Sequence, residues 1–142
     1  MVAKIILDTN IVSYLMKRHS SGQKYLPHLL GNLLAISFIT VGELYVGAEK
    51  DKWGERKRLH LQATLKNYVV IPYDDDIAKE YARIVVNRLR LGKPISFSDA
   101  WISACAVRHD VPLVTHNAKH FESIPGLRII TSHKARAHEL FT

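Results

Sequence analysis

Cysteine is nearly absent from this chain of 142 residues: Cys105 stands alone. That excludes an intrachain disulfide. Set among Ile102, Ala104 and Ala106, the thiol reads as a small core group rather than a nucleophile. The missing disulfides point to a reducing compartment, the cytoplasm. No apolar stretch approaches the ~20 residues a membrane helix needs, so no membrane contact is expected. Asp8 interrupts the first apolar run before it can act as a secretion signal. Repeats and linker-like tracts are also missing, and the seven glycines and five prolines form no run longer than Pro125-Gly126. One domain, residues 1–142, is the expectation. Acids are the minority, 13 against 20 Lys and Arg, giving a net charge of +7. That balance favours a polyanionic partner without naming one. His116 and His120 have the spacing of helical zinc ligands, but no His-Glu-x-x-His motif is completed. Asn117 between them reads as a helix cap, and both histidines as solvated or substrate-side groups. No nucleophile-elbow motif appears either.

What the chain does have is an alternation of short apolar runs and longer helical patterns. Residues 3–7, 34–39, 69–71, 112–115 and 128–130 read as strands, apolar on both faces as in a covered parallel sheet. Helices are expected near 10–18, 22–32, 41–50, 54–67, 76–91 and 99–109. The clearest is 76–91, where Ile77, Tyr81, Ile84, Val85 and Leu89 share one face before Gly92 and Pro94 end it. Asp74, Asp75 and Asp76 precede that helix and read as its cap and first-turn charges. This order implies α/β layers, with any ligand beyond the carboxyl ends of the strands.

Three acids fall at such element ends. Asp8 closes the run Ile5-Ile6-Leu7. Glu43 lies just past Ile36-Ser37-Phe38-Ile39, and Asp99 starts the helical pattern after Phe97-Ser98. Each has an ordinary structural reading. Asp8 can cap the following helix, Thr40-x-x-Glu43 fits a capping box, and Asp99 after Ser98 suits a helix's first turn. What separates the readings is convergence. Carboxylates that meet repel one another unless protons or a cation intervene. On a basic protein such a cluster reads as a divalent-metal site acting on a polyanion.

Four local patterns then coincide. Leu7-Asp8-Thr9-Asn10, Thr40-Val41-Gly42-Glu43-Leu44, Ser98-Asp99-Ala100-Trp101-Ile102 and Leu113-Val114-Thr115-His116-Asn117 resemble, in order and spacing, the four motifs of PIN-domain ribonucleases. Gly47-Ala48-Glu49-Lys50 and Gly92-Lys93-Pro94-Ile95 resemble the VapC toxins of toxin–antitoxin modules. The resemblance spans about residues 4–130 and implies an α/β/α sandwich around a central parallel sheet of four to five short strands. It further implies an endoribonuclease using Mg²⁺ or Mn²⁺, a homodimer, and silencing by a VapB-type antitoxin. Asp8, Glu43 and Asp99 fall on the family's metal-site acids. Asn117 stands where many members carry a fourth acid, and His120 where an acid is common; both depart from a two-metal pattern. Among members of this subtype are cleavers of initiator tRNA, so tRNA is the substrate the resemblance suggests.

The chemistry follows from the residue types. Mg²⁺ takes oxygen ligands and keeps several waters, so two or three carboxylates leave room for a phosphate oxygen and an attacking water. Hydrolysis by metal-activated water leaves a 5′-phosphate and a 3′-hydroxyl. Asn10 and Asn117 can orient water or substrate, Thr115 can steady the acids, and Lys93 and Lys119 lie within motifs that place them near the phosphates. A dehalogenase-like phosphatase would want a second Asp where Asn10 stands, and a receiver domain an acceptor Asp after its third strand. The stronger alternative is a non-catalytic PIN-like module that binds RNA or protein. Apolar residues of the segment Ile11–Leu34, Leu15 and Leu29 among them, serve either as outer core or as an antitoxin groove.

Overall fold

The computed structural model describes residues 3–132, so both ends of the expected span 1–142 lie outside the described part. Five strands form one sheet: β1 (Lys4–Leu7), β2 (Leu33–Ser37), β3 (Val69–Ile71), β4 (Leu113–Val114) and β5 (Ile129–Ile130). Every pairing is parallel, in the order β3-β2-β1-β4-β5. The helices between them are α1 (Thr9–Met16), α2 (Ser20–Gln23), α3 (Leu26–Leu29), α4 (Phe38–Lys50), α5 (Glu55–Leu65), α6 (Asp75–Arg90) and α7 (Phe97–His109). A 3₁₀ turn, Ala118–Phe121, precedes β5.

The two-residue period of the strands divides the core. Ile5, Leu7, Ile36 and Val114 pack with Ile11, Val12, Tyr25 and Leu29. Ile6, Ala35, Ile71 and Leu113 pack instead with Ile77 and Ile84 of α6 and Ala100, Ile102, Ala104 and Cys105 of α7. Helices cover both faces, which is why the strand segments carry no polar alternation. Cys105 is buried, as expected of a core thiol. No helix among the described residues is long and apolar enough to cross a membrane.

Several boundaries differ from the sequence expectation. β2 ends at Ser37, two residues early, because Ser37 Oγ accepts from the Ile39 amide at 3.2 Å and starts α4. The apolar run therefore crosses from strand into helix, a boundary that hydrophobicity alone does not mark. The helix expected over 22–32 is broken into α2 and α3. A Cβ on Gly22 would meet Leu15 N and Tyr14 Cβ at 3.1 Å, so α2 lies against the end of α1. Asp74 does cap α6, its carboxylate accepting from the Ile77 amide at 2.7 Å.

The topology places the site. The chain runs outward from β1 through β2 to β3, then returns across β1 to β4 and β5. The order reverses between β1 and β4, and a crevice opens beyond the carboxyl ends of strands at such a point. Asp8 and Thr115 are the residues that follow those two strands.

Candidate active site

Asp8 is held from two directions. Its amide continues the sheet ladder by donating to the Val114 carbonyl at 2.9 Å. Its side chain caps α1, accepting from the Thr9 amide at 2.8 Å, and its other carboxylate oxygen accepts from Thr115 Oγ1 at 2.8 Å. Thr115 Oγ1 in turn accepts from the Asn117 amide at 3.0 Å. The cap reading and the cluster reading of Asp8 are thus compatible, because one carboxylate serves both.

Glu43 is not part of a capping box. Thr40 is buried inside α4, whose cap is Ser37. Thr40 and Glu43 lie one turn apart and face α1. Thr9 Oγ1 donates to Glu43 Oε1 at 2.6 Å and sits 3.0 Å from Thr40 Oγ1. Since the Thr9 proton is used on Glu43, Thr40 is the donor in that second contact. Asp99 lies in the first turn of α7, as expected, but the cap is Ser96 rather than Ser98. Ser96 Oγ accepts from the Asp99 amide at 3.2 Å. Asp99 Oδ2 stands 3.5 Å from His120 Nδ1.

Asp8 and Asp99 both feel their surroundings as acids. With 5% of its surface exposed, Asp8 has its carboxyl pushed up to about 6. Burial is the main cause, the charges of Asp99 and Glu43 add to it, and the Thr115 and Thr9 hydrogen bonds oppose it. Asp99 is raised too, chiefly by burial, with Glu43 adding; its Ser96 bond and the nearby His120 and Arg88 oppose the shift. No three His, Cys, Asp or Glu side chains among the described residues stand close enough to hold an ion by themselves. The donor set does fit a hard cation in its chemistry. It consists of carboxylate and hydroxyl oxygens with no thiol, and Mg²⁺ completes such partial sets with water.

A cleft of ≈ 550 Å³ adjoins Asp99, and Lys93, Lys119, His120 and Arg88 line it. Lys93 and Lys119 are exposed, so their charges are available to a ligand there. Asn10 is exposed on the first turn of α1, and Asn117 opens the 3₁₀ turn without a side-chain cap bond. His116 and His120 do not share a helix face: His116 Nδ1 lies 2.6 Å from the Tyr25 hydroxyl, whereas His120 turns to Asp99. Asp74 and Asp76 pair with Arg108 at the far end of α7, roughly 13 Å along the helix from Asp99.

Three residues here escaped the sequence reading. Thr9 stood out only as the neighbour of Asp8 in the first motif, yet its hydroxyl links Glu43 to Thr40. Tyr25 is wholly buried and braces the motif-four loop, its hydroxyl 3.3 Å from the Thr115 carbonyl. Arg88, 6% exposed, donates from Nε to the Lys93 carbonyl at 2.6 Å and from Nη1 to the His120 and Glu122 carbonyls at 3.0 and 3.1 Å. It ties together the two segments that form the cleft walls.

A parallel α/β domain, with Asp8 buried at its switch point and Asp99 at the edge of a cleft that Arg88, Lys93 and Lys119 line, is the frame in which the relatives can be read. The chain's relatives narrow this. Residues 5–127 match the PIN domain family model. Ribonuclease VapC2 of Haemophilus influenzae is 33% identical over 125 residues, which cover 88% of this chain and 95% of the relative. The tRNA(fMet)-specific endonuclease VapC of Salmonella typhimurium is 32% identical, covering 89% and 96% of the two chains. Among solved structures, VapBC2 from Rickettsia felis bound to a DNA fragment from their promoter superposes with a TM-score of 0.80 at 29% identity, covering 90% of this chain and 98% of that one. The chain belongs to the PIN-domain family, among its VapC members.

Proposed function

We propose that this protein is an endoribonuclease toxin that depends on Mg²⁺ or Mn²⁺, cuts tRNA, and is neutralised by a VapB-type antitoxin. The observation that carries the reading is the Asp8 carboxylate, buried at the switch point of a basic protein and raised chiefly by that burial, with the charges of Asp99 and Glu43 adding. Relatives named as ribonucleases and as a tRNA(fMet)-specific endonuclease support RNA, and tRNA within it, as the substrate. Asp8, Glu43 and Asp99 are the residues that would hold the ion. When bound, such an ion offsets charge on the phosphate and makes water easier to deprotonate. The chain's own groups do the rest. Thr9 and Thr115 fix the carboxylates, Asn10 and Asn117 orient water or substrate, and Lys93 and Lys119 hold flanking phosphates.

The test is incubation of antitoxin-free protein with total RNA. Mn²⁺ is expected to support cutting, EDTA to stop it, and mapped ends to carry a 5′-phosphate. Glu43→Gln and Asp99→Asn are expected to lose activity by about 10²-fold or more while remaining folded. Undiminished cutting by either removes that residue from the site, and RNA that stays intact with Mn²⁺ present favours the non-catalytic binding module instead. The basic cleft has its own test. Lys93→Glu with Lys119→Glu is expected to weaken RNA binding and to flatten its dependence on log[salt] by about one or two counterions. An unchanged slope places the phosphate contacts elsewhere.

The antitoxin reading rests on solved VapBC complexes from Salmonella typhimurium and Haemophilus influenzae, which match this chain at 30% and 31% identity. It also rests on the exposed Leu26, Leu30 and Leu33. Ile11, Val12, Tyr25 and Leu29 are core instead, so only part of the apolar segment is free to form a groove. Leu26→Asp with Leu30→Asp is expected to lose a co-purifying antitoxin and keep the fold. Retained antitoxin would move the groove elsewhere. Working as a homodimer in the cytoplasm completes the proposal, and sedimentation of the purified chain reads the stoichiometry.

A further inference from the structure

We propose that His120 gives Nδ1 as a nitrogen ligand to the ion that Asp99 holds, so that the site favours first-row transition-metal ions over Mg²⁺. The inference rests on the metal-dependent ribonuclease reading above. His120 Nδ1 stands 3.5 Å from Asp99 Oδ2. A charge-assisted N–H···O bond is shorter, about 2.7–2.9 Å. Neighbouring ligands on one octahedral ion lie about 3 Å apart, since each bond to the ion is about 2.1 Å. The gap is therefore wide for a direct bond and suits two donors converging on one cation, with a small turn of the imidazole closing the remainder.

The backbone, rather than the exposed ring itself, sets this placement. The His120 amide donates to the Asn117 carbonyl at 2.9 Å, its carbonyl accepts from Arg88 Nη1 at 3.0 Å, and Phe121 beside it is buried. The imidazole side chain is 60% exposed against 19% for that of Asp99, and both line the same cleft. An ion that reaches the Asp99 carboxylate from the cleft thus meets the imidazole on its way. Two protein donors are enough to start such a site, because ions of this kind keep several waters. His120 takes the place of one water, in its neutral form with the proton on Nε2 and the Nδ1 lone pair toward the ion. The second donor then sets the preference. Mg²⁺ takes oxygen ligands and gives up water reluctantly. Affinity for a mixed nitrogen and oxygen set rises instead along the first row, from Mn²⁺ through Co²⁺. Lys93 and Lys119, exposed in the same cleft, are placed to meet a phosphate on the open side of the ion.

The experiment adds Mn²⁺ to the full chain at pH 7.5 and reads the electron spin echo modulation of the bound ion, which detects a directly bound nitrogen. Modulation is expected from the unsubstituted protein and is expected to vanish in His120→Gln. Asp99→Asn is expected to lose it as well, because the ion that His120 serves is the one Asp99 holds. Competition with Mg²⁺ gives a second reading. The excess of Mg²⁺ needed to displace Mn²⁺ is expected to fall by about 10-fold or more in His120→Asp, which makes the donor set all oxygen. Bound Mn²⁺ without nitrogen modulation overturns the proposal and leaves His120 as an ion-pair partner of Asp99 only. Modulation that survives in His120→Gln overturns it in favour of another histidine, and modulation that survives in Asp99→Asn places the nitrogen at a different ion. An unchanged excess of Mg²⁺ in His120→Asp overturns the preference. If Mn²⁺ binds without nitrogen and the protein cuts RNA, the His120 assignment alone fails. If Mn²⁺ does not bind, the metal-dependent reading falls with it.

Discussion

Asp8→Asn is expected to lose RNA cleavage by about 10³-fold or more and, in metal-free buffer at pH 7.5, to melt higher than the unsubstituted protein. Both effects come from one charge. The Asp8 carboxyl is pushed up to about 6 in the fold from an ordinary value of 3.8. At a pH below the ordinary value it is protonated in folded and unfolded chains alike, so its ionisation costs nothing. As pH rises toward 6 the unfolded chain releases the proton first, and stability falls. Above 6 the full cost is present, about 3 kcal/mol at most. Asn cannot ionise and keeps the shape. Its amide oxygen can accept from the Thr9 amide, and its amide nitrogen can donate to Thr115 Oγ1 in place of the bond it accepted. Net gain is about 1–2 kcal/mol, a rise of roughly 3–6 °C in Tm for a domain of this size. Thermal melts in EDTA check it. The rise should be present at pH 7.5 and absent near pH 4. A gain of equal size at both would show that it does not come from the carboxylate charge. Adding Mn²⁺ at pH 7.5 should raise the melting temperature of the unsubstituted protein and leave Asp8→Asn unmoved.

Arg88→Met is expected to cost about 3–5 kcal/mol, the largest loss of stability foreseen for one side chain near the site. The buried guanidinium donates to three backbone carbonyls, and methionine fills its volume but donates nothing. The carbonyls of Lys93, His120 and Glu122 would be left without that donor. A drop of roughly 10 °C or more in Tm is the direct measure. Faster amide exchange in 93–96 and 119–122 than in β1 would show that the cleft walls loosen while the sheet persists. Arg88→Lys should recover part of the loss, because a point charge cannot span three acceptors as a planar fork does. A Tm within a degree of the original would mean that the cleft walls stand without the tie.

The sheet was legible in the sequence because strands covered on both faces announce themselves as unbroken apolar runs. β1, β3, β4 and β5 fell within a residue or two of expectation. The β2–α4 boundary was not legible, since Phe38 and Ile39 are equally apolar as strand or as the first turn of a helix. What decides is the Ser37 hydroxyl, a single hydrogen bond. The same ambiguity hid the cap of α7, because Ser96 and Ser98 are chemically identical candidates. Asp8 and Asp99 could be picked out by their places at element ends, whereas Glu43, expected at one, lies inside α4 because that helix already starts at Phe38. The effect of their neighbours on Asp8 and Asp99 required the strand order, and periodicity does not specify strand order. Arg88 sits in a helix pattern beside Arg90, where a basic residue ordinarily reads as solvated. Only the loops folding back over it from 93 and from 120 turn it inward. Tyr25 was hidden by its apolar company, which says "buried" but not that its hydroxyl braces a loop across the sheet.

The antiparallel packing of α6 on α7 has a consequence for how a ligand arrives. Asp74, Asp75 and Asp76 start α6 at one pole of the molecule, and Arg88, Lys93 and Lys119 gather at the other, where α6 ends and α7 begins. The aspartates at the first pole have cations beside them, Arg108 at Asp74 and Asp76 and Lys79 at Asp75, so their field is largely spent locally. Lys93 and Lys119 at the other pole are exposed. A polyanion meeting such a surface would be drawn toward the cleft pole rather than pushed from the aspartate one, and the pull would fade as the screening length shrinks with added salt.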